Sequence, residues 1–394
     1  MKILLKLMLV GMLSSVLNNL YAQPYKKLHY KSIVADAHND VIWAQTMKGF
    51  DISEKTNRGN TDLVRLKEGG VNLQIFSIFC NETYGKGKAY PFAIAMMDSL
   101  KHIADRNADK IALATNVTHI RKIINSGKIA ALMGVEGGHM IENNLDYLDE
   151  FAKRGIKYLT LTWNNSTEWA TSAADETNNP NLIQKGLTNR GKEIVKRLNN
   201  YGIIPDLSHV GEQTFYDVLA ITKKPVIVSH SNCHEIAPHP RNLKDEQIKA
   251  IAKNGGVIGI NFYSGFIDSA YHKKIDGLMA KYPEMVAELA KQYSSKGYIA
   301  RALFQKISQT EVNSIRPPIA MMIDHVDRMV RLAGIDHICI GGDFDGAESF
   351  ALGLDDVRDY PLITEELMKR GYTKKDIKKI LGENLLRVLK ANEI

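Results

Sequence analysis

The chain has 394 residues, 44% of them hydrophobic and 24% charged, with a formal net charge of +7. This is ordinary globular composition, and the length suits one large domain or two medium ones. The basic residues are scattered, clustering only at Lys374-Lys375 and Lys378-Lys379, which speaks against a nucleic-acid groove. Cys80, Cys233 and Cys339 are widely spaced and form no Cys-x-x-Cys pair, which speaks against a disulfide scaffold and a thiolate zinc site.

At the N-terminus, MKILLKLMLVGMLSSVLNNLYAQ carries Lys2 and Lys6, then an apolar run, then Leu20-Tyr21-Ala22 before Gln23. This is the pattern of a secretory signal peptide removed after residue 22. The run is too short and interrupted for a stable membrane anchor, and no Cys follows the cleavage point for lipid attachment. The expected mature protein, residues 23–394, is therefore periplasmic or secreted. Loss of the two leader lysines lowers its formal charge to +5.

Short apolar runs then alternate with amphipathic stretches. Strands are predicted at Ile33–Ala37, Asn72–Phe79, Lys128–Val135, Tyr158–Thr162, Ile203–Leu207, Val226–Ser229, Val257–Phe262 and Ile338–Gly341. Helices are predicted over 90–106, 142–154, 188–201, 211–221, 245–254 and 317–333, with 363–370 and 374–391 after the last strand. Such alternation indicates βαβ units and a parallel sheet, and about eight units is the count of a (β/α)8 TIM-type barrel. A doubly wound open sheet competes, but no Gly-x-Gly-x-x-Gly follows any strand. Residues 264–316 have helical periodicity and no strand. They are predicted to form a helical insertion between the seventh and eighth strands of a single barrel domain, and either shape substrate access or elaborate the surface.

Polar groups stand where these apolar runs end. His38 and Asp40 follow the first run; residues two apart in an extended segment share a face, so the two can converge. Glu136 ends the third run, His209 follows the fifth, His230 ends the sixth and Asp343 follows the eighth. In a barrel the carboxyl ends of the strands form one rim, where active sites of this fold sit. Three imidazoles and three carboxylates are N/O donors of the kind that suit Zn²⁺, with Mn²⁺ or Co²⁺ as alternatives. The donors outnumber the needs of one tetrahedral ion, whereas two ions about 3.5–4 Å apart would use them all, with Glu136 as the bridge.

The motifs DAHND, GVEGGH, YLTLT, DLSH, VSHS, NFY and GGDFDG, in that order over about residues 31–390, resemble the membrane dipeptidase (renal dipeptidase) family of zinc metallopeptidases. The resemblance implies a metallo-dependent hydrolase barrel with two Zn²⁺ per chain, dipeptide substrates and a homodimer. It implies that His38 and Asp40 bind one zinc, His209 and His230 the other, and that Glu136 bridges them. It implies further that Asp343 is the proton-shuttling carboxylate and that Arg241, in HPRN, holds the terminal carboxylate of the substrate. One position departs from the pattern: where the family carries a substrate-contacting histidine after YLTLT, this chain has Trp163, followed by Asn164 and Asn165. An indole donates one hydrogen bond and cannot become a cation, so either an asparagine amide substitutes or the substrate preference shifts.

The expected reaction is peptide hydrolysis by a metal-bridging hydroxide, with Asp343 as general base and then general acid. Tyr263 is a further candidate for substrate contact. Another binuclear-metal amidohydrolase, acting on a lactam, lactone or N-acyl amino acid, would use the same donors. A catalytically idle metal-binding barrel is the remaining alternative.

Overall fold

The computed structural model describes residues 24–394; the predicted signal peptide lies outside the described residues. The chain forms nine parallel strands: β1 (Ala35–Asp36), β2 (Leu73–Phe79), β3 (Ile111–Leu113), β4 (Ile129–Glu136), β5 (Tyr158–Thr160), β6 (Ile204–Asp206), β7 (Ile227–Ser231), β8 (Val257–Ile260) and β9 (Ile338–Ile340). Eight of them close a ring in the order β1-β2-β4-β5-β6-β7-β8-β9, with β9 pairing back onto β1 through Asp36 and Ile340. This is the expected (β/α)8 barrel. The strand that the sequence does not signal, β3, lies outside the ring and pairs only with the start of β4. Its three residues are too few to show a period.

The strands are apolar on both faces because each has packing on both sides. Outward side chains such as Phe76, Ile78, Met133, Val135 and Val228 meet the surrounding helices in one large core. Inward side chains such as Ala37, Ile75, Leu132, Ile204 and Val257 fill the barrel together with Leu385, Leu386 and Leu389 of the final helix, Asn384–Asn392. That helix therefore closes the end of the barrel opposite the carboxyl ends of the strands.

Tyr158 is the largest side chain inside the ring. A Cβ on Gly134 of β4 would fall 2.0 Å from its Cζ, so only glycine there leaves room for the phenol.

Most helices lie where the periodicity predicts them. Leu145–Lys153 starts three residues late because Glu142 and Asn143 hold φ of 47° and 58°, and Asn144 then caps the helix through Asp146 N. Ile319–Ala333 starts after Pro317-Pro318, and Tyr360–Lys369 starts early with Pro361 in its first turn.

Residues 264–316 carry five helices between β8 and β9, from Ser264–Ile267 to Gln309–Ile315. They bury a small core of their own around Tyr271, Ile275, Leu278, Ala300 and Ile315. No helix among the described residues is long and apolar enough to cross a membrane. Cys80, Cys233 and Cys339 are buried and unpaired.

Candidate metal centre

The strand ends deliver their polar groups to one point. At the end of β1, Asp36 accepts hydrogen bonds from His38 N, Gly342 N and the Tyr360 hydroxyl, and this fixes the turn that aims His38 inward. His38 Nε2 lies 3.2 Å from Glu136 Oε2 and 3.5 Å from Asp40 Oδ2. The other oxygen of Glu136, Oε1, lies 2.9 Å from His209 Nε2 and 3.6 Å from His230 Nε2. Glu136 therefore divides its two oxygens between His38 on one side and the pair His209 and His230 on the other. This is the arrangement a bridging carboxylate requires.

Donor atoms of His38, Glu136 and His230 lie within 4.8 Å of one another, as do those of His38, Asp40 and Asp343. The second group keeps Asp343, counted among the six donors in the sequence, close enough to His38 and Asp40 to share an ion with them. Asp343 Oδ2 also accepts from Asn261 Nδ2 at 3.0 Å. A Cβ on Gly346 would fall 2.2 Å from Asp40 Oδ2 and 2.3 Å from Asp343 Oδ1, so this glycine keeps the space beside both carboxylates open. His209 and Asp343 hold left-handed backbone, with φ of 65° and 61°. Strain of this kind at non-glycine residues persists where the surrounding structure over-determines it, and it clusters at active sites.

Hydrogen bonds on the far side of each ring set the histidine tautomers. Tyr158 gives its proton to Ala37 O, so its oxygen accepts from His38 Nδ1 at 2.8 Å. Ser229 gives its proton to Asp206, so its oxygen accepts from His230 Nδ1 at 2.8 Å. His209 Nδ1 faces Asn164 Oδ1 at 3.1 Å. Each Nδ1 is thus the donor, and each Nε2 presents a lone pair to the centre.

The charges agree with this assignment. Burial, reinforced by the Arg241 charge, holds His209 down at about 4; burial and the neighbouring His38 push His230 well below its usual range. Both rings are neutral near pH 7, yet their Nε2 atoms stand 3.1 Å apart. Two lone pairs that close repel each other, and a shared cation removes the repulsion. His38 is pushed the other way: burial opposes its proton, but Tyr158, Glu136 and Asp40 around it together outweigh that. A positive charge facing these carboxylates is favoured, whether a proton or a divalent cation carries it. His38 Nε2 and Asp40 Oδ1 are buried and have no hydrogen-bond partner. The donor set fits a pair of divalent ions.

The centre opens into a cavity of about 260 Å³. Trp43, Phe79 and Trp163 form an aromatic wall, with ring centres 5.4 Å and 5.0 Å apart in sequence. Trp163 occupies the departure position as an apolar surface beside His209. Asn164 lines the cavity with its oxygen committed to His209, and Asn165 lines a separate cleft. Arg241 is buried at the cavity, with one guanidinium nitrogen on His230 O and Nε unpartnered. Burial lowers it to about 10, so it remains a cation at neutral pH.

Tyr263 lines the cavity and donates to Glu348. His139 is tied to Cys80 O at the end of β2 and belongs to the packing. Sequence reasoning missed Tyr158, Asp206, Ser229 and Asn261, and also Ser77, whose hydroxyl donates to Glu136 Oε2 at 3.2 Å. The available signal was a polar residue inside an otherwise apolar strand, because a buried polar group needs a partner.

Residues 22–394 match the family described as membrane dipeptidase, peptidase family M19. Dipeptidase verJ of Clonostachys rogersoniana is 31% identical over 344 residues, covering 85% of this chain and 76% of its own. The crystal structure of dipeptidase AC, a metallopeptidase of family M19, superposes with a TM-score of 0.71 at 25% identity, over 92% of this chain and 98% of the other. A Rhodobacter sphaeroides metallopeptidase, liganded with a phosphinate mimic of the dipeptide L-Ala-D-Ala, shares the fold at 24% identity. Its TM-score is 0.74, over 92% of this chain and all of the other.

Proposed function

Because the chain belongs to the membrane dipeptidase family of metallopeptidases, we propose that it is a zinc-dependent dipeptidase, exported to the periplasm or secreted, with two ions held by His38, Asp40, Glu136, His209 and His230. The observation that carries this reading is the convergence of three Nε2 lone pairs on the two oxygens of one buried carboxylate. Zinc bound there supplies Lewis acidity toward the scissile carbonyl and acidifies the attacking water.

The remaining work falls to the chain's own side chains. Asp343 takes the proton of the attacking water and passes it to the leaving amine. Asn261 holds its carboxylate in place, and burial together with the Asp40 charge raises its pKa, which suits a group that must carry a proton during turnover. Arg241 pairs with the terminal carboxylate of the substrate and so selects peptides with a free C-terminus next to the scissile bond. The Trp43–Phe79–Trp163 wall excludes water and packs against substrate. Trp163 cannot supply the charge a histidine would, so stabilisation of the developing oxyanion depends on the metal side of the cavity.

The test is metal analysis of the purified protein, combined with a dipeptide turnover screen with and without chelator. The reading expects about two zinc equivalents per chain, and activity that is lost on chelation and regained with zinc. Protein that binds no zinc, or that leaves every dipeptide intact when zinc-loaded, would refute it.

A further inference from the structure

Along one wall of the cavity a cation, an apolar ring and an anion follow one another. Arg241 Cζ lies 5.4 Å from the centre of the Phe266 ring. The Phe266 ring meets Tyr263 edge-on at 4.9 Å, and the Tyr263 hydroxyl donates to Glu348 Oε1 at 2.7 Å. All four side chains line the same cavity.

Glu348 has no role in the metal centre, and its charge is poorly met by the protein. Burial raises its carboxyl pKa, and the Tyr263 hydroxyl, its own backbone N–H and the Arg301 charge only partly offset this. Arg301, whose charge reaches it, directs its guanidinium to the carbonyls of Asp345 and Ala347 instead. A carboxylate that lines a cavity with no cation paired directly to it is a site for an incoming cation.

We propose that Glu348, held by Tyr263, recognises a cationic side chain, so that the enzyme favours dipeptides whose C-terminal residue is lysine or arginine. The inference rests on the dipeptidase reading and on Arg241 as the anchor of the terminal carboxylate. The residue bearing that carboxylate then lies beside Phe266, and its side chain runs along the ring toward Glu348. Lysine and arginine match the wall, since each has an apolar stem that packs on an aromatic face and a charged tip. An acidic side chain would meet like charge.

The helical insertion takes part in this site. A Cβ at Gly297 would stand 3.6 Å from Glu348 Oε2, so the helix Lys296–Phe304 covers the carboxylate, and Tyr298 of the same helix lines the cavity. The insertion thus shapes the pocket for the second residue of the substrate.

Zinc-loaded protein is assayed on Ala-Lys, on Ala-norleucine, which keeps the stem and lacks the charge, and on Lys-Ala, with both enantiomers at the second position. The expected kcat/KM ratio of Ala-Lys to Ala-norleucine is about tenfold or more, as one charged hydrogen bond gives. Glu348→Gln should bring the ratio close to one, and Tyr263→Phe should lower it in part. Calorimetric titration with free lysine and norleucine reads the same preference without turnover. Equal kcat/KM for the two peptides, a preference for Lys-Ala instead, or a preference that survives Glu348→Gln would overturn the proposal. If no dipeptide is cleaved but lysine binding is preferred and lost in Glu348→Gln, the dipeptidase reading falls and the cation site stands. Hydrolysis with no lysine preference in either assay sinks the cation site alone.

Discussion

Tyr158→Phe removes a single oxygen from the interior of the barrel and isolates one element of the metal centre. The Tyr158 hydroxyl accepts from His38 Nδ1 at 2.8 Å and donates to Ala37 O at 3.1 Å. Phenylalanine keeps the ring in the space that Gly134 leaves and removes only the group that orients His38. The buried Nδ1–H then loses its acceptor, at a cost of about 1–3 kcal/mol. Partners of this kind typically carry about 10–100-fold in metal affinity, which is the same range once converted at about 1.4 kcal/mol per decade. Competition with a chromophoric chelator should therefore show weaker binding of one zinc by about 10–100-fold, with the second affected less. The companion variant Gly134→Ala forces the phenol itself to move and should cost stability as well, about 1–3 kcal/mol, seen as a lower Tm. If Tyr158→Phe binds both ions with wild-type affinity, His38 does not depend on this hydroxyl for its orientation. The tautomer assignment at the centre would then be wrong.

Asp343→Asn should lower kcat by about 10²–10⁴-fold while zinc stoichiometry stays near wild type, because the task proposed for it is moving a proton. Loss of an ion from this variant would make Asp343 a ligand first and a shuttle second. For Arg241→Ala the main effect should fall on KM, by about 10-fold or more, as removal of a charge-assisted pair implies. The wild-type preference for free over amidated dipeptides should disappear with it; if it persists, the carboxylate is held elsewhere.

Stability should fall as pH drops from about 6.5 toward 4. Burial lowers the folded-state pKa of His29 to about 4, where it faces Thr364 and Gly69 O. The unfolded chain then binds the extra proton across that window, so the stabilisation is complete above it and is lost on the way down, by roughly 3 kcal/mol at most. Denaturant titrations at several pH values check this, and His29→Gln should flatten the slope.

The barrel was legible because its strands are buried on both faces and read as unbroken apolar runs, and all eight ring strands lie where those runs fall. The end-of-strand donors were legible because His38, Glu136, His209, His230 and Asp343 interrupt such runs at one recurring place. What stayed hidden depends on closure of the ring. Tyr158 reads as an ordinary strand aromatic until β4 and β1 come round it, and Ser229 links Asp206 to His230 only because β6 and β7 are neighbours. Glu348 lies in a loop with no periodicity, and its proximity to Tyr263 arises from long-range packing alone.

Pairing of Asp36 with Ile340 joins segments from the two extremes of the described chain. Closure of the ring around the donor set consequently requires β9. A half-synthesised polypeptide presents His38 and Asp40 without Glu136's neighbours His209 and His230, and two donors compete poorly with free chelators. The donor set is caged only in a chain whose last strand has joined the ring and whose final helix packs beneath it.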